Sequence, residues 1–347
     1  MCMTIFFYFA KITQTLHKDK SCDKYDGGFK MRIVKKILLG MILLLILGFF
    51  YEQYALYRAS KLPMDGKFVK INSHKLHVVE KGVGKVPVIF EAGWEVGGHL
   101  GWNTIQNEIA KETYTLSYDR AGILRSESSD EPRTCTNVSE ELHLLLTKER
   151  VEKPYILVAH SLGGIFMRCY VKKYRDEIAG IVFVDSAHPN QTNYYKKEIQ
   201  ERIKNLPPTW LVKLESYSGI ARAFSYFLTK GYHPSIASDD MRNIKYQGFV
   251  SKGYVTYMRE GKQFINMKNE VNGIDFGDIP LSVLSAKKSE RTQGIKLENW
   301  EILQNEIANL STNSKHIWVD SGHYIQFEKP EVVIEAVKEM RDKVEND

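Results

Sequence analysis

A serine flanked by small residues is the strongest chemical signal in the sequence. The segment AHSLGG, residues 159–164, lies between an apolar run typical of a strand and a run typical of a helix. Ser161 would then occupy a sharp strand-to-helix turn, where the small residues Ala159 and Gly163 let the two backbones approach each other. Such a turn exposes the hydroxyl as a nucleophile, although the same position would also suit an ordinary helix N-cap.

A serine hydroxyl needs a nearby imidazole to accept its proton and later return it to the leaving group. Among the ten histidines, His323 in SGHY follows the last predicted strand and precedes the final helix. This placement would bring its ring to the sheet edge that carries Ser161. His160 should point away from the site, His316 lies at the other end of its strand, and His188 stays an alternative base because it follows a strand end. The remaining histidines are predicted as surface or packing residues: His17, His74, His77, His99, His143 and His233.

The acid that orients the histidine has two candidates. Asp185 ends the strand after the nucleophile strand, in IVFVDSAHP, whereas the loop AKKSERTQG after the penultimate strand contains only Glu290 as an acid. From a neighbouring strand end, Asp185 could orient His323 and stabilise its charged form. We therefore predict Asp185 as the acid, with Glu290 as the alternative. Asp185 could instead cap its own loop through bonds to backbone amides.

Two backbone N–H groups could stabilise the negative charge that develops during attack on a carbonyl. The Leu162 amide would lie at the amino terminus of the helix after the nucleophile, and the Trp94 amide follows a predicted strand in EAGWE. Gly93 permits the turn there, although Gly93 and Trp94 could also merely pack the loop against the sheet. Further along, Asp119-Arg120 is predicted as a buried ion pair that shapes a loop.

The elements that must position these residues form an alternating series. From residue 62 onward, an antiparallel pair of strands is followed by apolar strands that alternate with amphipathic helices. Continuous apolar strands indicate a mostly parallel sheet covered on both faces. Between about residues 189 and 276 the alternation gives way to helix-prone, aromatic-rich sequence, which predicts an inserted cap. The hydrolytic domain is thus predicted over residues 62–347.

Composition limits the partners and cofactors. The formal net charge is +6, but basic and acidic residues are interleaved, so no nucleic-acid surface is expected. The cysteines have neither a CxxC pair nor metal-ligand spacing against histidine, so no metal or other cofactor is predicted. Cys169 lies in a predicted helix and is expected as a buried thiol rather than as a disulfide partner of Cys135. The other two cysteines are Cys2 and Cys22.

The amino-terminal part contains a candidate membrane helix. Residues 37–51 are uncharged, and adding Ile33 and Val34 brings the stretch close to the roughly 20 residues that span a bilayer. Basic residues precede it and Glu52 follows it, so the amino terminus is predicted in the cytoplasm and the large domain outside. We predict an uncleaved anchor at residues 33–55 behind a leader of residues 1–32, with Met31 as an alternative start. A cleaved signal peptide is the rival interpretation.

The segments FEAGW, SYDRAG, AHSLGG, FVDSAHP and SGHYI together resemble the α/β-hydrolase superfamily, specifically its lid-bearing esterase, lipase and peptidase-like branch. The resemblance extends from Phe68 to the carboxyl terminus. It implies an eight-stranded, mostly parallel sheet with helices on both faces, a helical cap, and cofactor-free catalysis through a covalent acyl-enzyme. Ala159 departs from the family's usual first glycine of the motif, and the loop after the penultimate strand lacks the usual aspartate. Serine as the nucleophile disfavours the epoxide-hydrolase and haloalkane-dehalogenase branches.

These residues predict a serine hydrolase that cleaves a carboxylic ester of a small-molecule or lipid-like substrate with an apolar group. An aminopeptidase of the proline-cleaving type is the alternative among enzymes, and it would need cap carboxylates to hold the substrate's amino group. A non-catalytic surface protein with the same fold is the alternative outside enzymes. The sequence does not predict the oligomeric state. The candidate cap carboxylates are Glu198, Glu201 and Glu215.

Overall fold

The computed structural model describes residues 27–63, 65–220, 222, 251–288 and 294–346. The chain divides into two units, residues 1–48 and 49–347. Much of the predicted cap lies outside the described residues. So do Glu290, His17, His233, Cys2 and Cys22.

A long helix, α1 (Gly27–Ser60), contains the predicted anchor. Its segment Met31–Ser60 is long and apolar enough to cross a membrane, a test that a signal sequence near the amino terminus also passes. Within the first unit its apolar side chains are largely exposed, as shown by Leu39 at 67% and Leu44 at 69%. Exposed apolar surface of this extent requires a covering apolar phase or partner.

The described part of the second unit contains one eight-stranded sheet. The strand order is β1-β2-β4-β3-β5-β6-β7-β8, in which β1, β2 and β4 pair antiparallel and the other pairs are parallel. The predicted mostly parallel sheet of eight strands is therefore confirmed. Its strands are β1 (Lys67–Ile71), β2 (His74–Lys81), β3 (Val88–Glu91), β4 (Thr115–Tyr118), β5 (Tyr155–His160), β6 (Ile178–Val184), β7 (Leu281–Ala286) and β8 (Ser314–Val319).

Helices cover both faces of this sheet. In the order of the chain they are α2 (Asn103–Ile109), α3 (Cys135–Lys148), α4 (Gly163–Tyr174), α5 (Lys197–Lys204), α6 (Thr209–Tyr217), α7 (Ser251–Glu270), α8 (Leu297–Ala308), α9 (Ile325–Glu328) and α10 (Pro330–Asn346). Helices α5, α6 and α7 belong to the segment between β6 and β7, where the sequence predicts the cap.

The central strand β5 shows why the sequence forms a covered parallel sheet. All six of its residues are buried. Leu157 packs in the apolar cluster on one face of the sheet, and Ile156 and Val158 pack in the cluster on the other face. Since side chains alternate between faces, a strand that is covered twice must be apolar at every position. The strand ends at the carboxyl edge of the sheet, and Ser161 is the next residue.

The two helices beside β5 are joined by a disulfide between Cys135 and Cys169, whose Cα atoms are 5.9 Å apart. The prediction of a buried thiol at Cys169 is therefore wrong. Cys135 begins α3 and Cys169 lies within α4, so the two residues are brought together by the packing of two helices rather than by local spacing. This packing has no signature in the sequence around either residue.

Reduction of this disulfide should lower the stability of the second unit. The bond links residues 34 positions apart, and in the chain-entropy model closing a loop of this size stabilises the folded state by about 3 to 4 kcal/mol. We expect a reductant to lower the thermal unfolding midpoint of the detergent-solubilised full chain. The double variant Cys135→Ala/Cys169→Ala should already unfold at the lower temperature and show no further shift. A reductant effect of equal size in both proteins would contradict the prediction.

Candidate active site

Ser161 lies at the turn between β5 and α4. Its backbone φ is +51°, a conformation that residues with a Cβ seldom adopt and that a tightly packed turn must hold in place. A Cβ on Gly163 would come within 2.7 Å of the Ala92 carbonyl oxygen, and one on Gly164 would collide with the Ser186 hydroxyl. The glycines after the serine are therefore required by close backbone and side-chain packing. The turn leaves the Ser161 side chain partly exposed.

The structure brings Ser161, His323 and Asp185 together. His323 Nε2 lies 3.0 Å from Ser161 Oγ, and His323 Nδ1 lies 2.6 Å from Asp185 Oδ2. Because a carboxylate only accepts hydrogen bonds, His323 donates through Nδ1–H, which leaves the Nε2 lone pair to accept the serine proton. The three side chains thus have the arrangement that a serine nucleophile, its base and an acid that orients the base would require.

Asp185 is held rigidly at the end of β6. It is fully buried, and its φ is +42°. Its Oδ1 accepts hydrogen bonds from the Ala286 amide at 2.8 Å and from Trp300 Nε1 at 3.1 Å. These two donors orient the carboxylate so that Oδ2 faces His323. The alternative acid, Glu290, lies outside the described residues.

His160 supports the segment that carries His323. Its ring centroid lies 4.5 Å from that of His323, and its Nε2 donates to the His323 carbonyl oxygen at 3.1 Å. Burial, together with the charge of a protonated His323, lowers the pKa of His160 well below its usual range. His160 therefore donates this bond as a neutral ring.

His188 and His316 have partners other than Ser161. His188 Nε2 pairs with Glu306 at 3.0 Å, and its Nδ1 accepts a bond from the Asn190 amide at 3.1 Å. Burial lowers the pKa of His188 to about 3. His316 Nε2 contacts the Ser285 hydroxyl at 2.9 Å. Neither ring makes a contact with Ser161 within the described part of the chain.

The loop after β3 lies directly against the nucleophile. A Cβ on Gly93 would be 2.8 Å from His160 Nδ1 and 3.0 Å from Ser161 Cβ, so the close approach depends on glycine. Trp94 follows immediately. Within the described residues, neither the Trp94 amide nor the Leu162 amide donates a hydrogen bond. Both N–H groups are thus available beside the serine, as an oxyanion hole requires.

Arg120 fixes this loop, in a role that differs from the predicted ion pair with Asp119. Its guanidinium pairs with Glu91 at 2.6 Å and, from the cap segment, with Glu260 at 2.9 Å. It also donates to the carbonyl oxygens of Ala92 and Gly93, both at 2.7 Å. The predicted Asp119–Arg120 pair is wrong because Arg120 points to the loop after β3 and to α7 instead. Sequence reasoning missed Glu260, which lies 140 positions from Arg120.

Asp119 forms a separate buried cluster with two histidines. His77 Nδ1 lies 2.9 Å from one carboxylate oxygen, and His99 Nδ1 lies 2.8 Å from the other. Three ligand atoms within 4.8 Å of one another could in principle hold a metal ion. However, the same carboxylate also accepts the His99 amide at 3.0 Å. Although burial opposes ionisation, His99 and His77 hold the pKa of Asp119 well below its usual range, so this carboxylate is ionised within the cluster.

Aromatic rings surround the site. Trp94 stacks on Tyr257 of α7 with centroids 4.6 Å apart, and its Nε1 donates to the Tyr257 carbonyl oxygen at 2.8 Å. Tyr324 lies 5.3 Å from the His323 ring and 5.6 Å from the Phe327 ring. Walls of this kind suit an apolar group on a substrate. Of the three predicted amine-holding cap carboxylates, Glu198 and Glu201 are exposed and Glu215 is half-buried.

Loss of the Glu260 contact should lower the turnover number. Glu260→Gln removes the charge that, from α7, holds Arg120 against the carbonyls of Ala92 and Gly93. We expect kcat to fall about tenfold with KM nearly unchanged, because a misplaced oxyanion donor weakens mainly the transition state. Steady-state ester hydrolysis measures both constants. Glu270→Gln on the same helix, where the carboxylate instead accepts from the Thr136 amide, is the matched control; equal kcat in the two variants would contradict the assignment.

Part of the chain matches a known family model and a curated relative. Residues 86–214 match the family model described as alpha/beta hydrolase fold. The uncharacterized protein YbdG of Bacillus subtilis (strain 168) is 30% identical over 177 residues, which are 50% of this chain and 54% of that protein. The chain therefore spans about half the length of this relative.

Solved structures show the same fold. A thermophilic esterase from Thermogutta terrifontis matches with a TM-score of 0.60 and 20% identity, over 80% of this chain and 99% of the esterase. The Cif epoxide hydrolase from Acinetobacter nosocomialis matches with a TM-score of 0.66 and 18% identity, over 84% and 96% of the two chains. At these identities the likeness shows the fold alone.

The sheet order, the sharp turn at Ser161 and these matches define the fold class: the chain has the α/β-hydrolase fold.

Proposed function

We propose that the protein is a serine hydrolase that cleaves carboxylic esters through an acyl-enzyme. The observation that carries the proposal is the continuous contact from Ser161 Oγ to His323 Nε2 and from His323 Nδ1 to Asp185 Oδ2, at 3.0 and 2.6 Å. In this proposal Ser161 is the nucleophile, His323 is the general base and then the general acid, and Asp185 fixes the tautomer of His323.

The chemistry follows from the geometry. As Ser161 Oγ bonds to the ester carbonyl carbon, its proton passes to His323 Nε2, and the carbonyl oxygen becomes negative. The amides of Trp94 and Leu162 stabilise this oxyanion. The intermediate then breaks the bond to the alcohol, which takes the proton from His323 and leaves the acyl group on Ser161. A water molecule, deprotonated by His323, repeats the sequence and releases the acid.

Nucleophile chemistry favours ester cleavage over epoxide opening. Epoxide hydrolases and haloalkane dehalogenases of this fold would require an aspartate at the position that Ser161 occupies, as the sequence resemblance implies. The esterase likeness agrees with a serine nucleophile. The aromatic walls formed by Trp94, Tyr257 and Tyr324 support a substrate with an apolar group, such as a small-molecule or lipid-like ester.

A fluorophosphonate probe and a series of p-nitrophenyl esters test the proposal. We expect the full-length protein in detergent to be labelled at one serine and to hydrolyse esters of medium-length acyl chains. Amino-acid anilides, including those of proline, should be cleaved more slowly than the esters. Absence of both labelling and ester hydrolysis would support the non-catalytic surface protein instead, and faster anilide cleavage would support an aminopeptidase.

We further propose that residues 33–55 anchor the protein in a membrane, with residues 1–32 in the cytoplasm and residues 62–347 outside. The exposed apolar residues of α1 support a membrane segment, and the basic residues that precede them within the same helix support this orientation. The disulfide between Cys135 and Cys169 supports an oxidising compartment for the large domain. Protease added to intact cells should therefore remove the hydrolytic domain, whereas a domain that is degraded only after lysis would contradict the orientation.

A further inference from the structure

Glu95 is a buried carboxylate in the loop that carries Trp94, and it has no partner among the described residues. Its exposure is only 7%. Within the described part of the chain, its carboxylate accepts no hydrogen bond and forms no ion pair. Buried carboxylates are ordinarily paired, because removing an unpaired charge from water is unfavourable. The exception therefore needs a physical explanation.

The surroundings of Glu95 place it near the segment that follows His323. A Cβ built on Gly101 would be 3.1 Å from Glu95 Oε1 and 3.9 Å from Phe327 Cζ, so the carboxylate lies next to the aromatic segment that follows His323. Burial raises the pKa of Glu95 to about 7, while Arg120 and His323 act in the opposite direction. The charge of Glu95 in turn helps to raise the pKa of Tyr324.

The buried carboxylates near Glu95 outnumber the cations that pair with them. Arg120 is already paired with Glu91 and Glu260, and its remaining contacts are backbone carbonyls. With Glu95, three buried carboxylates thus lie near one guanidinium. A positively charged group bound at Glu95 would gain both a charge-assisted hydrogen bond and relief of this imbalance.

We infer that Glu95 binds a protonated amine of the substrate close to the scissile carbonyl, so that the preferred substrates are amino-substituted esters. This inference rests on the proposed ester hydrolysis. Glu95 immediately follows Trp94 in the chain. When the carbonyl oxygen of an ester accepts a hydrogen bond from the Trp94 amide, the substituents closest to that carbonyl group lie beside the Glu95 carboxylate. The exposed cap residues Glu198 and Glu201 are then not needed to hold an amine.

Three esters of nearly equal shape test the inference: ethyl 3-aminobutanoate, ethyl 3-methylbutanoate and ethyl 3-hydroxybutanoate. At pH 8 Glu95 is mostly ionised, and we expect kcat/KM for the amino ester to exceed that for the methyl ester by about tenfold, as one charge-assisted hydrogen bond allows. Glu95→Gln, which keeps the side-chain shape, should abolish the preference, so that the amino and methyl esters are cleaved with equal kcat/KM. Glu108→Gln, at an exposed carboxylate on α2, should keep the preference.

A pH series in the unmodified protein gives a readout independent of any variant. As pH rises from 6 to 8, Glu95 loses its proton and the preference for the amino ester over the methyl ester should grow. Arg120, His323 and Tyr324 also face this carboxylate, but they affect the hydrolysis of both esters, so the ratio isolates Glu95.

The outcomes separate this inference from the proposed function. Equal rates on the amino and methyl esters, a preference that survives in Glu95→Gln, or a hydroxy ester preferred over the amino ester would each overturn the amine-binding role while leaving ester hydrolysis intact. Failure to cleave all three esters, together with absence of fluorophosphonate labelling, would overturn the proposed function and this inference with it.

Discussion

We expect Ser161→Ala to lower kcat for ester hydrolysis by about a million-fold and to abolish labelling by a fluorophosphonate. The variant removes the atom that would form the covalent bond, while His323, Asp185 and the two oxyanion amides stay in place. Because alanine is smaller than serine and the hydroxyl's hydrogen bond among the described residues is the one with His323, the thermal unfolding midpoint should hardly change. Steady-state hydrolysis of p-nitrophenyl butyrate and gel-based labelling measure the two effects.

Ser139→Ala is the matched control for this variant. Ser139 is buried on α3, and its hydroxyl bonds to the carbonyl oxygens of Cys135 and Thr136 in the same helix. Its loss should therefore leave both the rate and the labelling unchanged. Labelling of Ser161→Ala at wild-type strength would show that another residue is the nucleophile.

The sheet and the meeting of its strand ends could be predicted because the pattern is local. Strands β5 and β6 are continuous apolar runs, and parallel strands end at the same edge of a sheet. Ser161 follows β5, Asp185 follows β6, and His323 comes shortly after β8, so chain order and strand ends alone indicated that these side chains would meet. The structure gives their contacts at hydrogen-bond distance. Their catalytic roles stay a proposal.

Contacts between distant segments could not be predicted, because the sequence around either partner contains no pattern that indicates them. Arg120 and Glu260 are 140 positions apart, and each looks like an ordinary charged residue in its own segment. The disulfide between Cys135 and Cys169 depends on how α3 packs against α4. In the sequence, Glu95 looks like an ordinary polar loop residue. Only its burial without a partner among the described residues makes it a candidate for binding. Pairing across the fold, rather than local pattern, decides all three.

The proposed acid, Asp185, follows β6 rather than β7. The loop after β7, where the family resemblance would place the acid, begins beyond Ala286 and offers only Glu290. In the structure the end of β7 contributes a donor instead, because the Ala286 amide binds Asp185 Oδ1. Trp300 supplies the second donor to that oxygen. The neighbouring strand end thus holds the Asp185 carboxylate in place for His323.

These donors make Asp185→Asn an informative replacement. The Ala286 amide and Trp300 Nε1 would keep the amide oxygen of Asn on their side and turn its NH2 group toward His323 Nδ1. His323 would then have to carry its proton on Nε2, where it cannot accept one from Ser161, so we expect kcat to fall about ten-thousand-fold. Hydrolysis rates decide the matter, with the exposed Asp176→Asn as control. A wild-type rate in Asp185→Asn combined with a large loss in Glu290→Gln would assign the acid to Glu290.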